Sequence, residues 1–182
     1  MEELSLYILD LIENAVRAGA TLVQLDIMED PSSDEYIVAI ADNGAGIPKD
    51  SLGKANDPSF VTSTSRKIGL GLSMMKQAAE MTEGKFVLES EKGSGTIVKA
   101  HFKFKHIDRP ELGDIEGTLA LLIASSPKVD YIYNHRTPNG LFNLDTRDIK
   151  KLVVSEEFSM PAVRHSIRGY VRENLNNIKA SL

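Results

Sequence analysis

The chain has 182 residues, of which 42% are hydrophobic and 26% are charged. This length and composition suit one ordinary folded domain, or a domain of about 100 residues with an extension. A formal net charge of -5 argues against broad electrostatic binding to nucleic acid. The absence of cysteine excludes disulfides, thiolate zinc sites and a cysteine nucleophile.

The N-terminus carries Glu2 and Glu3 instead of basic residues, and no apolar run approaches about 18 residues. Neither a signal peptide nor a membrane span is therefore predicted. We expect a cytoplasmic protein without membrane contact.

The first predicted element is an amphipathic helix over residues 3–18, because apolar residues recur there at helical spacing and Gly19 follows where a C-cap would lie. Asp10 and Asn14 are four residues apart and share the polar face, and Arg17 lies one turn further along the same side. The helix is therefore expected to present Asp10, Asn14 and Arg17 as one aligned row.

Two strands are predicted next, over residues 21–28 and 36–41, joined by an acidic turn as an antiparallel hairpin. The second strand runs into the turn Asp42-Asn43-Gly44-Ala45-Gly46. Residues 48–68 are rich in Ser, Thr, Lys and Gly and show little periodicity, which is typical of a long functional loop such as a lid.

A second helix is predicted from the Gly69-Leu70-Gly71-Leu72 loop to a point near Gly84, followed by strands over residues 85–90 and 96–105. The order of helix, two strands, lid, helix and two strands predicts an α+β sandwich.

The remaining residues predict a helix over 115–125, a hairpin of strands over 129–134 and 141–144, and a final helix that begins at Pro161. We therefore predict two units: an N-terminal domain over residues 1–105, and a small C-terminal α/β interaction module over residues 106–182.

The Asn-bearing helix, the Asp42–Gly46 turn and the Gly69–Leu72 loop, in this order, resemble the nucleotide site of the GHKL superfamily. That superfamily includes gyrase-type ATPases, heat-shock chaperones, histidine kinases and MutL mismatch-repair proteins. Residues 57–63 resemble the DPFF-type box of histidine kinases, and the resemblance covers about residues 4–104. It implies a two-layer α/β sandwich with an ATP lid, and ATP with Mg²⁺ as the ligand.

The resemblance implies a role for each motif residue around the base and the metal. Asn14 matches the Asn whose amide oxygen completes the magnesium shell, and Arg17 matches a cation that reaches the phosphates. Asp42 would accept a hydrogen bond from the adenine amino group. The remaining positions around the base are Gly44 and Gly46, which permit close backbone approach, Ile47, which offers a wall for the purine, and Thr96, on the strand below the adenine.

The second glycine loop is assigned to the phosphates. Backbone N–H groups and the helix dipole at Gly69, Leu70, Gly71 and Leu72 would face phosphate oxygens. Arg66 and Lys67 in the lid would pair with the γ-phosphate, the alternative being that they are ordinary solvated lid charges.

The resemblance divides between subfamilies. Glu13-Asn14 and Ala18-Gly19-Ala20-Thr21 are similar to MutL proteins, whereas the lid and the second glycine loop are of histidine-kinase type. In hydrolysing members a Glu four residues before the Asn activates water, and Asp10 occupies that place here. Asp10 is therefore the predicted catalytic base, and its shorter side chain predicts slow hydrolysis.

Histidine kinases carry a phosphoacceptor histidine on a hairpin before the ATP domain, whereas only three residues precede the first helix here. Autophosphorylation of that usual kind is not expected. His165 lies in a weak match to the phosphoacceptor pattern, without its acidic residue and proline.

The leading interpretation is an ATP-binding protein of the histidine-kinase-like ATPase family that acts on a partner protein, as a stand-alone kinase or as an ATP-dependent regulatory switch. The alternatives are a nucleotide-sensing regulator without catalysis and a slow MutL-like ATPase. The expected partners are ATP or ADP and a regulatory or substrate protein, and nucleic acid is disfavoured. The oligomeric state stays open, with a homodimer among the alternatives.

Overall fold

The computed structural model describes residues 3–48, 50, 70–152 and 155–182. Its strands are β1 (Leu22–Asp30), β2 (Glu35–Asp42), β3 (Lys85–Glu91), β4 (Gly95–Lys103), β5 (Asp130–Thr137) and β6 (Gly140–Asp145). Its helices are α1 (Leu4–Arg17), α2 (Leu70–Met81), α3 (Ile115–Ser125), the short α4 (Thr146–Ile149) and α5 (Pro161–Asn177), with a 3₁₀ turn at Ser155–Ser159.

The alternation of buried and less buried side chains defines the apolar face of the central strands. In β1 every second residue is buried, including Val23, Leu25 and Ile27, and β2 follows the same period. Because successive side chains of a strand point to opposite faces, this pattern buries one face of the sheet and leaves the other partly exposed. The buried face packs with the apolar side of α1, which lies beside α2 in one helical layer.

The strands form one six-stranded sheet in the order β3-β4-β2-β1-β5-β6. Strand β1 pairs with β2 in antiparallel fashion and with β5 in parallel fashion. Strand β2 also pairs antiparallel with β4, in a register that places Asp42 opposite Thr96. The predicted α+β sandwich and its hairpins are confirmed.

Residues after 105 contribute to the same sheet and the same buried core. Strands β5 and β6 extend the sheet beside β1, and α5 packs through Ile167, Val171 and Leu175. Tyr170 on the same helix is 50% exposed and meets the ring of Phe142 edge-on. The division of the chain at residue 105 stays a prediction.

Within the described ranges, no helix is both long and apolar enough to cross a membrane. The predicted lid over residues 48–68 lies outside the described residues except for Pro48 and Asp50. The predicted phosphate-site residues Arg66, Lys67 and Gly69 and the box at residues 57–63 also lie outside them.

Candidate functional site

A cavity of about 290 Å³ opens between α1, the ends of β2 and β4, and the start of α2. Its volume is near the lower end of the range for small-molecule pockets, roughly 300–1,000 Å³. Most of its wall is apolar, with a few polar side chains at its edge. The lining residues are Leu11, Asn14, Ala15, Arg17, Ala18, Ile40, Asp42, Gly46, Ile47, Pro48, Leu72, Thr96 and Val98.

The polar row predicted on α1 is present as a chain of side-chain contacts. Asn14 Nδ2 donates to Asp10 Oδ2 at 3.3 Å. Arg17 Nη2 donates to Asn14 Oδ1. Arg17 Nη1 also lies 3.5 Å from Glu13 Oε2 in an exposed ion pair. Both polar groups of the Asn14 amide therefore have partners, and its oxygen lies on the Arg17 side.

Asp42 ends β2 at the wall of the cavity. Its Oδ1 accepts a hydrogen bond from the backbone N–H of Gly44 at 2.8 Å. Partial burial raises the pKa of Asp42 above its ordinary value, although the backbone N–H groups of Gly44 and Thr96 act in the opposite direction. The result is a half-buried carboxylate beside the apolar side chains of Ile40 and Val98.

The first glycine turn is held close to the β3–β4 turn. Gly46 has a φ of +65°, and a Cβ at this position would lie 2.0 Å from the carbonyl oxygen of Glu91. Only glycine satisfies both constraints. Next to it, the backbone N–H of Ile47 donates to Ser90 Oγ at 2.7 Å, and Ser90 Oγ lies 2.9 Å from Thr96 Oγ1. Ser90 thus fixes the wall residue Ile47, a role that no local sequence signal indicated.

Asn43 anchors the other side of the same turn. Its Oδ1 accepts from the backbone N–H groups of Thr21 and Leu22 at 2.9 and 3.0 Å. Its Nδ2 donates to Thr21 Oγ1 at 2.9 Å. The turn is thereby tied to the start of β1, and an Asn directly after a strand is the signal that could have identified this role.

The second glycine loop is described from Leu70 onward. Leu72 lines the cavity, whereas Leu70 is 69% exposed and lies outside the lining. The backbone N–H of Gly71 donates to Asp10 Oδ2 at 2.9 Å, and a Cβ on Gly71 would lie 2.5 Å from that oxygen. This contact between α1 and α2 was not predicted.

The structure brings together in the cavity lining seven of the predicted residues, which are Asn14, Arg17, Asp42, Gly46, Ile47, Leu72 and Thr96. Gly44 lies in the adjoining turn, where it bonds Asp42. Asp10 lies outside the lining, and its predicted catalytic role stays a prediction.

Comparison with known proteins places the first part of the chain in a family. The profile described as "Histidine kinase-, DNA gyrase B-, and HSP90-like ATPase" matches residues 2–106, more than half of the chain. The non-motile and phage-resistance protein of Caulobacter vibrioides is 32% identical over 111 residues, which are 56% of this chain and 13% of that protein. The sensor kinase CckA of Brucella abortus is 37% identical over 82 residues, which are 44% of this chain and 9% of that protein.

Among solved structures, the MutL ATPase domain of Aquifex aeolicus complexed with ADP aligns with a TM-score of 0.49 at 14% identity. The alignment covers 87% of this chain and 68% of that chain. The chain matches only a small part of the length of the Caulobacter and Brucella proteins. The residues that the family profile matches include α1, β2, α2 and β4, which line the cavity. The chain belongs to the histidine kinase-, DNA gyrase B- and HSP90-like ATPase family.

Proposed function

We propose that this protein binds ATP with Mg²⁺ in the cavity and uses the nucleotide to act on a partner protein, by phosphotransfer or as a conformational switch. One observation carries the proposal. The same apolar cavity is lined by the half-buried carboxylate of Asp42 on β2 and by the amide of Asn14 and the guanidinium of Arg17 on α1. An apolar slot with few, convergent polar groups suits a nucleotide with one flat end and one charged end.

The end of the cavity at Asp42 suits adenine. An ionised carboxylate has about four acceptor positions. Gly44 uses one of those of Asp42, so acceptor positions remain for an exocyclic amino group. Ile40, Ile47 and Val98 contribute apolar surface to the lining of the same cavity.

The end at α1 suits the phosphates and the metal. Arg17 has a fork of N–H donors that matches phosphate oxygens. Its present partner, Asn14 Oδ1, is an oxygen ligand of the kind that magnesium accepts. A phosphate that draws Arg17 away would leave Asn14 Oδ1 free to hold the metal. When bound, Mg²⁺ would offset the charge of the triphosphate.

The phosphotransfer form is supported by relatives whose names are sensor kinases. A nucleotide-sensing regulator without catalysis is the second candidate. It is favoured by the contacts of Asp10, because Asp10 Oδ2 already accepts two hydrogen bonds from the protein and Asp10 does not line the cavity.

Isothermal titration calorimetry with ATP and ADP, with Mg²⁺ and with EDTA, tests the proposal. We expect binding that Mg²⁺ strengthens. No binding at millimolar nucleotide would overturn the proposal.

Incubation with γ-labelled ATP, alone and with cell extract, then separates the forms of activity. Labelled protein indicates a kinase and free phosphate an ATPase. Neither product, with binding intact, indicates a sensor or a switch.

A further inference from the structure

Asp10 joins the two helices that border the cavity through a single oxygen atom. Oδ2 accepts from the side chain of Asn14 at 3.3 Å, one turn further along α1, and from the backbone N–H of Gly71 at 2.9 Å, in the first turn of α2. Gly71 is 61 residues away in the sequence. Asp10 is partly buried between the helices.

Both contacts have a physical reason. The first N–H groups of a helix have no partner within it, so an acceptor at Gly71 satisfies one of them, and a carboxylate also interacts favourably with the positive end of the helix dipole. At Asn14, donation from Nδ2 to Asp10 fixes the amide orientation and leaves Oδ1 on the opposite side, where Arg17 meets it.

We infer that Asp10 is a positioning residue: its Oδ2 sets the Asn14 amide and the start of α2 at a fixed separation, so that both face one bound polyphosphate. This inference rests on the proposed nucleotide function. It assigns Asp10 a role in binding the phosphates, and it does not require Asp10 to activate water.

The two roles predict different behaviour of conservative variants. Because both hydrogen bonds reach the same oxygen, the amide oxygen of an asparagine can accept both of them. Asp10→Asn therefore keeps the positioning contacts and removes any general base, whereas Asp10→Ala removes both. A purely structural role would reduce the binding of all ligands equally, whereas positioning acts only on ligands that carry phosphates.

The test compares adenosine, ADP and ATP with Mg²⁺ by calorimetry for the unmodified protein, Asp10→Ala, Asp10→Asn and the control Glu80→Ala. Glu80 is an exposed carboxylate at the other end of α2, paired with Lys76. We expect Asp10→Ala to bind ADP and ATP about tenfold more weakly or worse, the loss of a hydrogen bond to a charged group. Adenosine affinity should be unchanged, and Asp10→Asn and Glu80→Ala should bind like the unmodified protein.

In these titrations, three results would overturn the inference while leaving nucleotide binding intact: full ADP affinity in Asp10→Ala, an equal loss for adenosine and ADP, or an Asp10→Asn variant as weak as Asp10→Ala.

Amide hydrogen exchange provides a second readout. It requires no nucleotide, and it does not depend on whether the alanine variant folds. The Gly71 N–H should be protected in the unmodified protein and in Asp10→Asn. Rapid exchange of Gly71 in the unmodified protein refutes the positioning contact. Absence of any nucleotide binding, with Gly71 protected, refutes the proposed function and with it the role of Asp10 toward phosphates.

Discussion

Replacing Asp42 with asparagine is the sharpest test of where the base binds. Oδ1 of the carboxylate accepts from the backbone N–H of Gly44. Asparagine has nearly the same shape but only one side-chain oxygen, which provides two acceptor positions, and an NH₂ group that only donates. The Gly44 N–H holds the oxygen of the asparagine at the place of Oδ1, so the NH₂ group takes the place of Oδ2, the oxygen left for a ligand.

The expected loss of affinity follows from this reversal. Adenine offers an amino group, so the Asp42→Asn variant would bring two donors together and leave both without an acceptor. An unsatisfied buried polar group costs about 1–3 kcal/mol. The dissociation constant for ADP should therefore rise by roughly 5- to 150-fold. Guanine carries a carbonyl oxygen at the corresponding position, so the affinity of the variant for GDP should rise relative to its affinity for ADP.

Calorimetric titrations of both proteins with ADP and GDP measure this change, with a thermal melt to show that the variant is folded. The Gly44 contact is preserved in the variant, so a large drop in stability is not expected. If Asp42→Asn binds ADP as tightly as the unmodified protein and still prefers it over GDP, Asp42 does not recognise the base, and the adenine must lie elsewhere.

Three further predictions concern pH and the fold. Because burial raises the pKa of Asp42, which must be ionised to accept from adenine, ADP affinity should be complete above that pKa. The affinity should weaken as the pH falls toward the pKa of Asp42, and this weakening should begin at a higher pH than for an ordinary aspartate. Calorimetry over the acidic pH range measures it, and the Asp42→Asn control should show no such loss of affinity. Glu29 and His135 are buried and joined by a 2.7 Å hydrogen bond. Glu29→Ala leaves the buried imidazole without this partner, so it should lower the free energy of unfolding in urea denaturation by about 1–3 kcal/mol, and an unchanged stability would contradict this. A Cβ on Gly95, whose φ is +95°, would lie 1.9 Å from the carbonyl oxygen of Asp42, whereas one on Gly93, with a φ of +86°, meets nothing within 4 Å. Gly95→Ala should therefore destabilise the protein by about 1–3 kcal/mol more than Gly93→Ala, and equal losses would show that the close approach is unimportant.

Local sequence was sufficient for the elements whose signal depends only on near neighbours. The alternation of Val23, Leu25 and Ile27 determined both the strand and its buried face, because side chains of a strand alternate whatever its partner is. The spacing of Asp10, Asn14 and Arg17 determined their common side of α1 in the same way. The Asp42–Gly46 turn was identifiable because positive φ and close approach require glycine.

Tertiary structure alone decided which distant segments meet. No periodicity shows that β5 pairs in parallel with β1 and extends the sheet, since strand pairing joins residues more than 100 positions apart. The contacts of Ser90 with Ile47 and of Asp10 with Gly71 are likewise absent from any local pattern, because they depend on how turns and helices pack. The sequence by itself therefore determined the chemical character of the site, whereas packing of α1 against α2 determined that Asp10, the residue expected to act on water, holds the first turn of the neighbouring helix.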